Sequence, residues 1–462
     1  MLKSHPYAFS GRVGVARRDI TPPAGIHARN WGAATHEAAT GVHRPLTCTV
    51  IAILAEEGDN PLLIAGLDLG WFKSPTDEFI LRGPVLKRLG LDPARVVINL
   101  SHTHSGPSIC TIDADRPGGH LIRPYLDHVA EMLVEAGREA ILTAASATID
   151  WKYGNCALAT NRDLVLPGDP PQMVVGFNPD APTDTTLLMG RVARHDGSLL
   201  ATIANFACHP TTLGSANSLI SPDYVGALRE TVEADTGVPL LFLQGASGDI
   251  APAHQYTGDV AVADRHGRCV AHAVLSILNA MPPAGSALRF DGVVESGATL
   301  AQWTLAAQPT DVTLHAEMTH FPLPLKPQPS LSSLQQQLDE CTDNPQRERL
   351  RRRMSIVRFV GSQQTCDMPL WAWRIGGALL FFQPNEMYSD WQIALRSRWP
   401  GRPVVVTNLS NGSCGYVLPR PKCKDSLYSF WQSPFDQGSY ETVERLSMAA
   451  GERLVGEILG DQ

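Results

Sequence analysis

Two histidines, His102 and His104, stand two residues apart in Ser101-His102-Thr103-His104-Ser105-Gly106-Pro107, directly behind the apolar run Val96-Val97-Ile98-Asn99-Leu100. The run reads as a buried strand passing into a loop, so both imidazoles leave one strand end together. Side chains two apart on an extended chain share a face, and the pair can therefore address one metal ion or one reacting atom. The competing reading is a polar His-x-His pair that merely closes a strand. Three further strand ends weigh against it. Leu199 to Phe206 runs into Ala207-Cys208-His209-Pro210-Thr211-Thr212, Phe381-Phe382 into Gln383-Pro384-Asn385-Glu386, and Val404-Val405-Val406 into the segment Asn408 to Tyr416. Each of these residues alone is more often structural, but together they offer His, His, Glu and Tyr. Zinc accepts nitrogen and oxygen donors and keeps one position open for water in catalytic sites.

The elements that must position these residues alternate. Leu62-Leu63-Ile64-Ala65-Gly66-Leu67 and Val96 to Leu100 read as strands, and from Pro124 onward Leu126, Val129, Leu133, Ala136 and Ala140 mark one side of a helix. That alternation indicates an α/β class. A helix is expected at Ser221-Pro222-Asp223-Tyr224, with Ser221 as N-cap, Pro222 in the first turn and Gly237 as its stop, followed by the strand Leu240-Leu241-Phe242-Leu243. Past residue 300 the texture changes. The Pro-rich stretch Phe321 to Pro329 reads as an extended linker, and from Ser330 to about Ile356 a two-helix insert is expected, a candidate lid or oligomer contact. Strands resume at Ala378 to Phe382 and at Val404 to Val406.

Composition narrows the function classes. The chain has 462 residues, 44% of them hydrophobic and 18% charged, with a net charge of -8. Without a basic stripe to offset that charge, nucleic-acid binding is excluded. The basic cluster Arg347 to Arg353 reads as a solvated helix face. The low charged fraction suits a large interior or a buried subunit interface, which leaves a homo-oligomer open. No apolar stretch is long enough to cross a bilayer, the start has no signal-like apolar region, and nine cysteines without a C-x-x-C pair suit reduced thiols. A cytoplasmic location is the expectation.

Rival nucleophiles are weak. Gly245-Ala246-Ser247-Gly248-Asp249 misses G-x-S-x-G at its last position, and Cys208 and His209, as neighbours on a strand, point to opposite faces.

The sequence resembles a family. The opening Asp19-Ile20-Thr21-Pro22-Pro23, Thr103-His104-Ser105-Gly106-Pro107, Asn205-Phe206-Ala207-Cys208-His209-Pro210, Ile220-Ser221-Pro222-Asp223 and Gln244-Gly245-Ala246-Ser247-Gly248-Asp249-Ile250-Ala251-Pro252 are similar, in order, to motifs of the neutral/alkaline ceramidase catalytic domain. The likeness runs from about Val13 to Val455, in a catalytic-domain-only, bacterial-type form. It implies mixed β-sheets flanked by helices, with residues 1–462 as a single catalytic domain that includes the Pro-rich linker and helical insert of 320–356. It also implies a zinc ion (Zn2+) held by His102, His209, Glu386 and Tyr416, with His104 beside it as acid/base and Arg162 facing the substrate carbonyl. A second tyrosine should help hold the oxyanion. Tyr440, before the last helix, is preferred to Tyr428 on its local context, an insertion separating the two tyrosine segments. The function expected is hydrolysis of the amide bond of an N-acyl small molecule by metal-activated water. The alternatives are an esterase or lactonase on the same scaffold, or a non-catalytic metal-binding homologue, against which the presence of His104 and Arg162 argues. Without the family's added C-terminal β-domain, a water-soluble substrate is expected in preference to ceramide.

Overall fold

The computed structural model describes residues 7–56, 58, 60–361 and 363–456. A mixed sheet is formed by β1 (Ala8–Asp19), β2 (Thr47–Leu54), β3 (Leu62–Leu67), β4 (Val96–Leu100), β5 (Ala145–Asn155), β6 (Thr186–Arg194), β7 (Leu199–Phe206) and β8 (Leu240–Gln244). Its strand order is β8-β7-β6-β5-β1-β2-β3-β4, with Thr310–Asp311 added beside β1. The sheet curls, and its end strands approach one another. Gly66 of β3 lies against Leu241 and Phe242 of β8, where a Cβ would come 2.8 Å from the Phe242 carbonyl oxygen; only glycine admits that approach.

After the hairpin β9 (Ser286–Glu295) and β10 (Thr299–Ala307) comes a second sheet, β11 (Leu314–Pro324), β12 (Thr365–Ile375), β13 (Ala378–Phe382) and β14 (Val404–Thr407), in that order. The inward faces of both sheets share one apolar cluster that includes Phe9, Ile51, Leu188, Leu241, Trp371, Trp373 and Phe382. Helices cover the outer faces. These are α1 (Pro75–Leu89) and α2 (Ile122–Leu142) on one flank, α3 (Tyr224–Thr236) and α4 (Val260–Asn279) on another, and α7 (Ser389–Arg398) and α8 (Ser439–Gly456) on the second sheet. The expected stripe Leu126, Val129, Leu133, Ala136 and Ala140 on α2 is fully buried, each large aliphatic contributing about 1.5–3 kcal/mol.

Most neighbouring strands are antiparallel, and three parallel pairs stand out: β3 with β4, β7 with β8, and β13 with β14. Each pair is joined by a helix, α1, α3 and α7 respectively, so the chain contains three β-α-β units. Ligands in such units sit outside the carboxyl ends of the strands. Buried amides tie those ends together across the two sheets. Asn99 donates to the Asn408 carbonyl at 2.5 Å and accepts from the Gln244 backbone at 2.8 Å, while Asn205 donates to the Leu243 and Val406 carbonyls at 3.1 and 2.9 Å.

Two local expectations are corrected. The N-cap of α3 is Asp223, whose carboxylate accepts from the Tyr224 N–H, in place of Ser221; Gly237 closes the helix in the left-handed conformation as expected. The Pro-rich stretch is strand as far as Pro324, paired throughout with β12. β11 is an edge strand, where proline costs no ladder hydrogen bond on its solvent side. The two-helix insert is present as α5 (Leu331–Glu340), capped by Ser330, and α6 (Asn344–Val360), which runs four residues beyond Ile356.

Candidate metal and hydrolytic site

The three β-α-β units deliver their side chains to one point. His102 and His104 follow β4, His209 follows β7, and Glu386 follows β13. Tyr416 lies past the end of β14, and a short parallel bridge sets it directly beside Glu386. Nε2 of His102 lies 3.1 Å from Nε2 of His209, and both lie within 3.3 Å of Oε2 of Glu386, at 3.3 and 3.2 Å.

The chemistry of this triangle calls for a cation. Nδ1 of His209 meets the Ser247 carbonyl at 2.6 Å, and Nδ1 of His102 meets the Gly70 carbonyl at 3.3 Å. A carbonyl only accepts, so in the neutral rings Nδ1 carries the proton and each Nε2 is a bare lone pair. Two lone pairs and a carboxylate oxygen therefore face one another, and that buried oxygen has no hydrogen-bond partner. Zinc bonds of ~2.0–2.1 Å give a tetrahedral site an edge of about 3.3 Å, close to the three edges of the triangle. Carbonyls behind the imidazoles are the usual support of metal-bound histidines. Burial, reinforced by Arg162, pushes His209 down to about 3, so it stays neutral.

His104 completes a group of three histidines able to hold a metal, its Nε2 3.4 Å from that of His102. Its setting differs from theirs. The ring is packed between the indoles of Trp71 and Trp31, at 4.8 and 5.1 Å, and its buried Nδ1 has no hydrogen-bond partner. It lacks the second hydrogen bond that orients a ligand, and burial holds its pKa well below the usual imidazole value.

The motifs between these residues act through their backbones. Gly248 offers its carbonyl to both Nε and Nη2 of Arg162, at 3.1 and 2.8 Å. A Cβ on Gly248 would meet the Met387 and Glu386 carbonyls at 2.9 and 3.1 Å, so glycine is required where this turn touches the carboxylate segment. Arg162 Nη2 also donates to the hydroxyl of Tyr416, the residue paired with Glu386, at 3.1 Å. Ser247 is fully buried, its hydroxyl accepting from Gln244 at 2.7 Å, which leaves it no role as a nucleophile. Ser221 holds the histidine loop: its carbonyl accepts from the Thr103 hydroxyl at 2.7 Å and its N–H donates to the Ser105 carbonyl at 2.9 Å. Burial pushes the Cys208 thiol up, and Cys208 packs in the core on the side away from the cavity.

A cavity of about 660 Å³ opens over the site, lined by His102, His104, Arg162, Glu386, Tyr416 and Tyr428, by the aromatic rings of Trp31, Trp71, Tyr256 and Trp431, and by the α6 residues Glu348, Arg352, Ile356 and Phe359. Tyr440 does not line it. That expectation is corrected: Tyr440 lies in the first turn of α8, packed into the core of the second sheet. Tyr428 occupies the cavity instead, 6.1 Å ring to ring from Tyr416, and its hydroxyl accepts from Arg352 at 2.9 Å.

Sequence reasoning missed Arg352. It belongs to the cluster assigned to a solvated face, yet it binds Tyr428, Glu348 and the Asn30 carbonyl and lies over the Trp71 ring. A clue was available: Pro345, Glu348, Arg349, Arg352, Ile356 and Phe359 repeat at helical spacing, forming a mixed face opposite the apolar stripe Leu350, Met354 and Val357. Trp31 and Trp71 carried no motif.

No family model and no curated protein sequence matches the chain. Solved structures do. A ceramidase complexed with C2 superposes with a TM-score of 0.69 at 16% identity, over 96% of this chain and 75% of that one. The neutral ceramidase of Pseudomonas aeruginosa gives 0.67 at 16% identity, over 96% and 74%. Among the described residues no helix is long and apolar enough to cross a membrane. With its three β-α-β units converging on one cavity, the chain has the mixed-sheet fold of the neutral ceramidases.

Proposed function

We propose that the protein is a zinc-dependent amidohydrolase that cleaves the carbon–nitrogen bond of an N-acyl small molecule with water as nucleophile. The observation that carries this reading is the triangle of His102, His209 and Glu386: three acceptor atoms turned toward one another on the wall of a cavity. These three residues, with Tyr416 beside Glu386, would hold the ion. When bound, zinc supplies a Lewis acid for the carbonyl and lowers the pKa of a water toward neutrality.

The remaining steps belong to the chain. His104, neutral and caged by two indoles, takes the proton from the attacking water and returns it to the departing amine nitrogen, which leaves poorly without it. Arg162, clamped by the Gly248 carbonyl, and Tyr428 direct their donors at the oxygen on which negative charge develops. Arg352 donates to the Tyr428 oxygen, which turns the phenolic proton outward. The aromatic walls and α6 exclude bulk water and accommodate an apolar acyl group, in a volume that suits a small ligand.

The deciding experiment is a hydrolysis screen of zinc-loaded protein against short N-acyl amides, esters, lactones and detergent-dispersed ceramide. Chelator-sensitive amide cleavage is expected, with kcat/KM higher for soluble amides than for ceramide. Turnover confined to esters or lactones reassigns the bond. Failure of every class with a full equivalent of zinc bound overturns the reading in favour of a binding protein.

A further inference from the structure

The hairpin β9–β10 carries an apolar face that the rest of the described chain leaves in solvent. Its register pairs Leu288 with Leu305, Phe290 with Trp303 and, past an irregularity before Gly292, Val293 with Ala301. Cross-strand partners share a face, so these side chains form one continuous ladder. The opposite face is polar along most of its length, with Arg289 beside Thr304 and Gly292 beside Gln302, and carries an apolar pair, Val294 with Leu300, only next to the turn. In a folded sheet the apolar side is the buried side. Here Leu288, Phe290, Val293, Trp303 and Leu305 are 58%, 50%, 62%, 48% and 56% exposed.

Two physical arguments require something to cover this ladder. A two-stranded hairpin is at best marginally stable in water without a layer packed against it. A contiguous apolar patch of several hundred Å² is a contact surface. At its centre Phe290 and Trp303 meet edge to face at 5.7 Å, the aromatic composition that dominates binding energy at interfaces.

We propose that the occupant is the same face of a second copy of this chain, packed about a twofold axis. Half-exposed, five large side chains present roughly 500 Å². Two such faces bury roughly 1,000 Å² from side chains alone, the size at which specific interfaces begin. A symmetric pairing needs one self-complementary patch, and an apolar ladder without charges on its face meets that condition. A lipid surface fits less well. The hairpin ends in the polar turn Glu295-Ser296-Gly297-Ala298, and its charged residues Arg289, Asp291 and Glu295 give no basic excess. No residue of the hairpin lines the catalytic cavity, so this surface is independent of the reaction.

Sedimentation equilibrium of the full chain tests the proposal. The wild type is expected to be a dimer. Leu288→Lys with Trp303→Lys should raise the dimer dissociation constant about 100-fold or more, while Gln302→Lys with Thr304→Lys, which adds the same charge to the opposite face, should leave it unchanged. All these side chains are at the surface, and unaltered circular dichroism verifies the fold. If the lysine pair disturbs the hairpin, Phe290→Ser supplies the same test with a smaller shift. A monomeric wild type at high concentration overturns the proposal, as does a dimer indifferent to the apolar-face variants or weakened equally by both pairs. A monomer that floats with phosphatidylcholine–phosphatidylserine vesicles assigns the face to a membrane instead.

Discussion

On the floor of the cavity His102, His209 and Arg162 each hang from a main-chain carbonyl, whereas on its roof Glu348, Arg352 and Tyr428 hold one another through long side chains. The floor is assembled largely from parallel strand ends; the roof is a helix of the insert and the short helical segment Tyr428–Gln432. A carbonyl offered by a buried turn fixes both the tautomer and the aim of the ring it holds, and a side-chain partner fixes aim more loosely, at the cost of rotamer freedom. In the proposed reaction the floor would hold the ion and orient the substrate carbonyl, and the roof would add the Tyr428 donor and line the rest of the cavity.

Breaking the floor should have the largest effect. His209→Ala is expected to lose nearly all bound zinc and to fall to background turnover; a full equivalent of metal by elemental analysis would disprove the ligand assignment. His104→Ala should keep the metal and lose turnover by about 10²–10⁴-fold, the usual contribution of a proton-transfer group. Equal metal loss in the two variants would make His104 a ligand and erase the distinction drawn from its unbonded Nδ1. At the border of floor and roof, Tyr428→Phe should lower kcat by about 10²–10³-fold, while Tyr440→Phe leaves it unchanged; the reverse order would restore Tyr440 to the reaction. Smallest is Arg352→Met, which removes one charged hydrogen bond to Tyr428, worth roughly 1.5–3 kcal/mol at most. About a tenfold loss of kcat is expected, and none once Tyr428 is already Phe. Additive losses in the double variant would show that Arg352 acts on something other than Tyr428.

The same division decides what could be read from the sequence. His102, His209 and Glu386 end apolar runs, so the strands that deliver them announce them, and they were legible with the α/β class and the insert, whereas Arg162 follows the two-residue strand Thr160–Asn161 and was indicated only by the resemblance. The reason offered for the His102–His104 pair was nonetheless incomplete. His102 has φ 70°, the left-handed region, so the two rings meet through a bent loop and not through the alternation of an extended strand. Roof residues lie on a helix whose two faces are both occupied, one by the core of the insert and one by the cavity, and charge density alone made Arg352 look solvated. Tyr440 and Tyr428 could not be separated by local context, because which of them reaches the cavity depends on how the segment after Tyr416 folds back. The hairpin's alternation from Leu288 to Leu305 was present in the sequence, but strand patterning does not say whether a face is covered.

The amides that bridge the strand ends also bear on how the chain reaches its finished state. The donors of the proposed metal site come from positions 102, 209, 386 and 416, and Asn99 cannot meet Asn408 until the second sheet has docked on the first. Nascent chain emerging as far as Ile375 would carry all three histidines with no carboxylate opposite them. Under the proposed ligand set, ion capture would be complete only once the second sheet has docked, a step that the long separation in sequence makes slow relative to formation of the local helices.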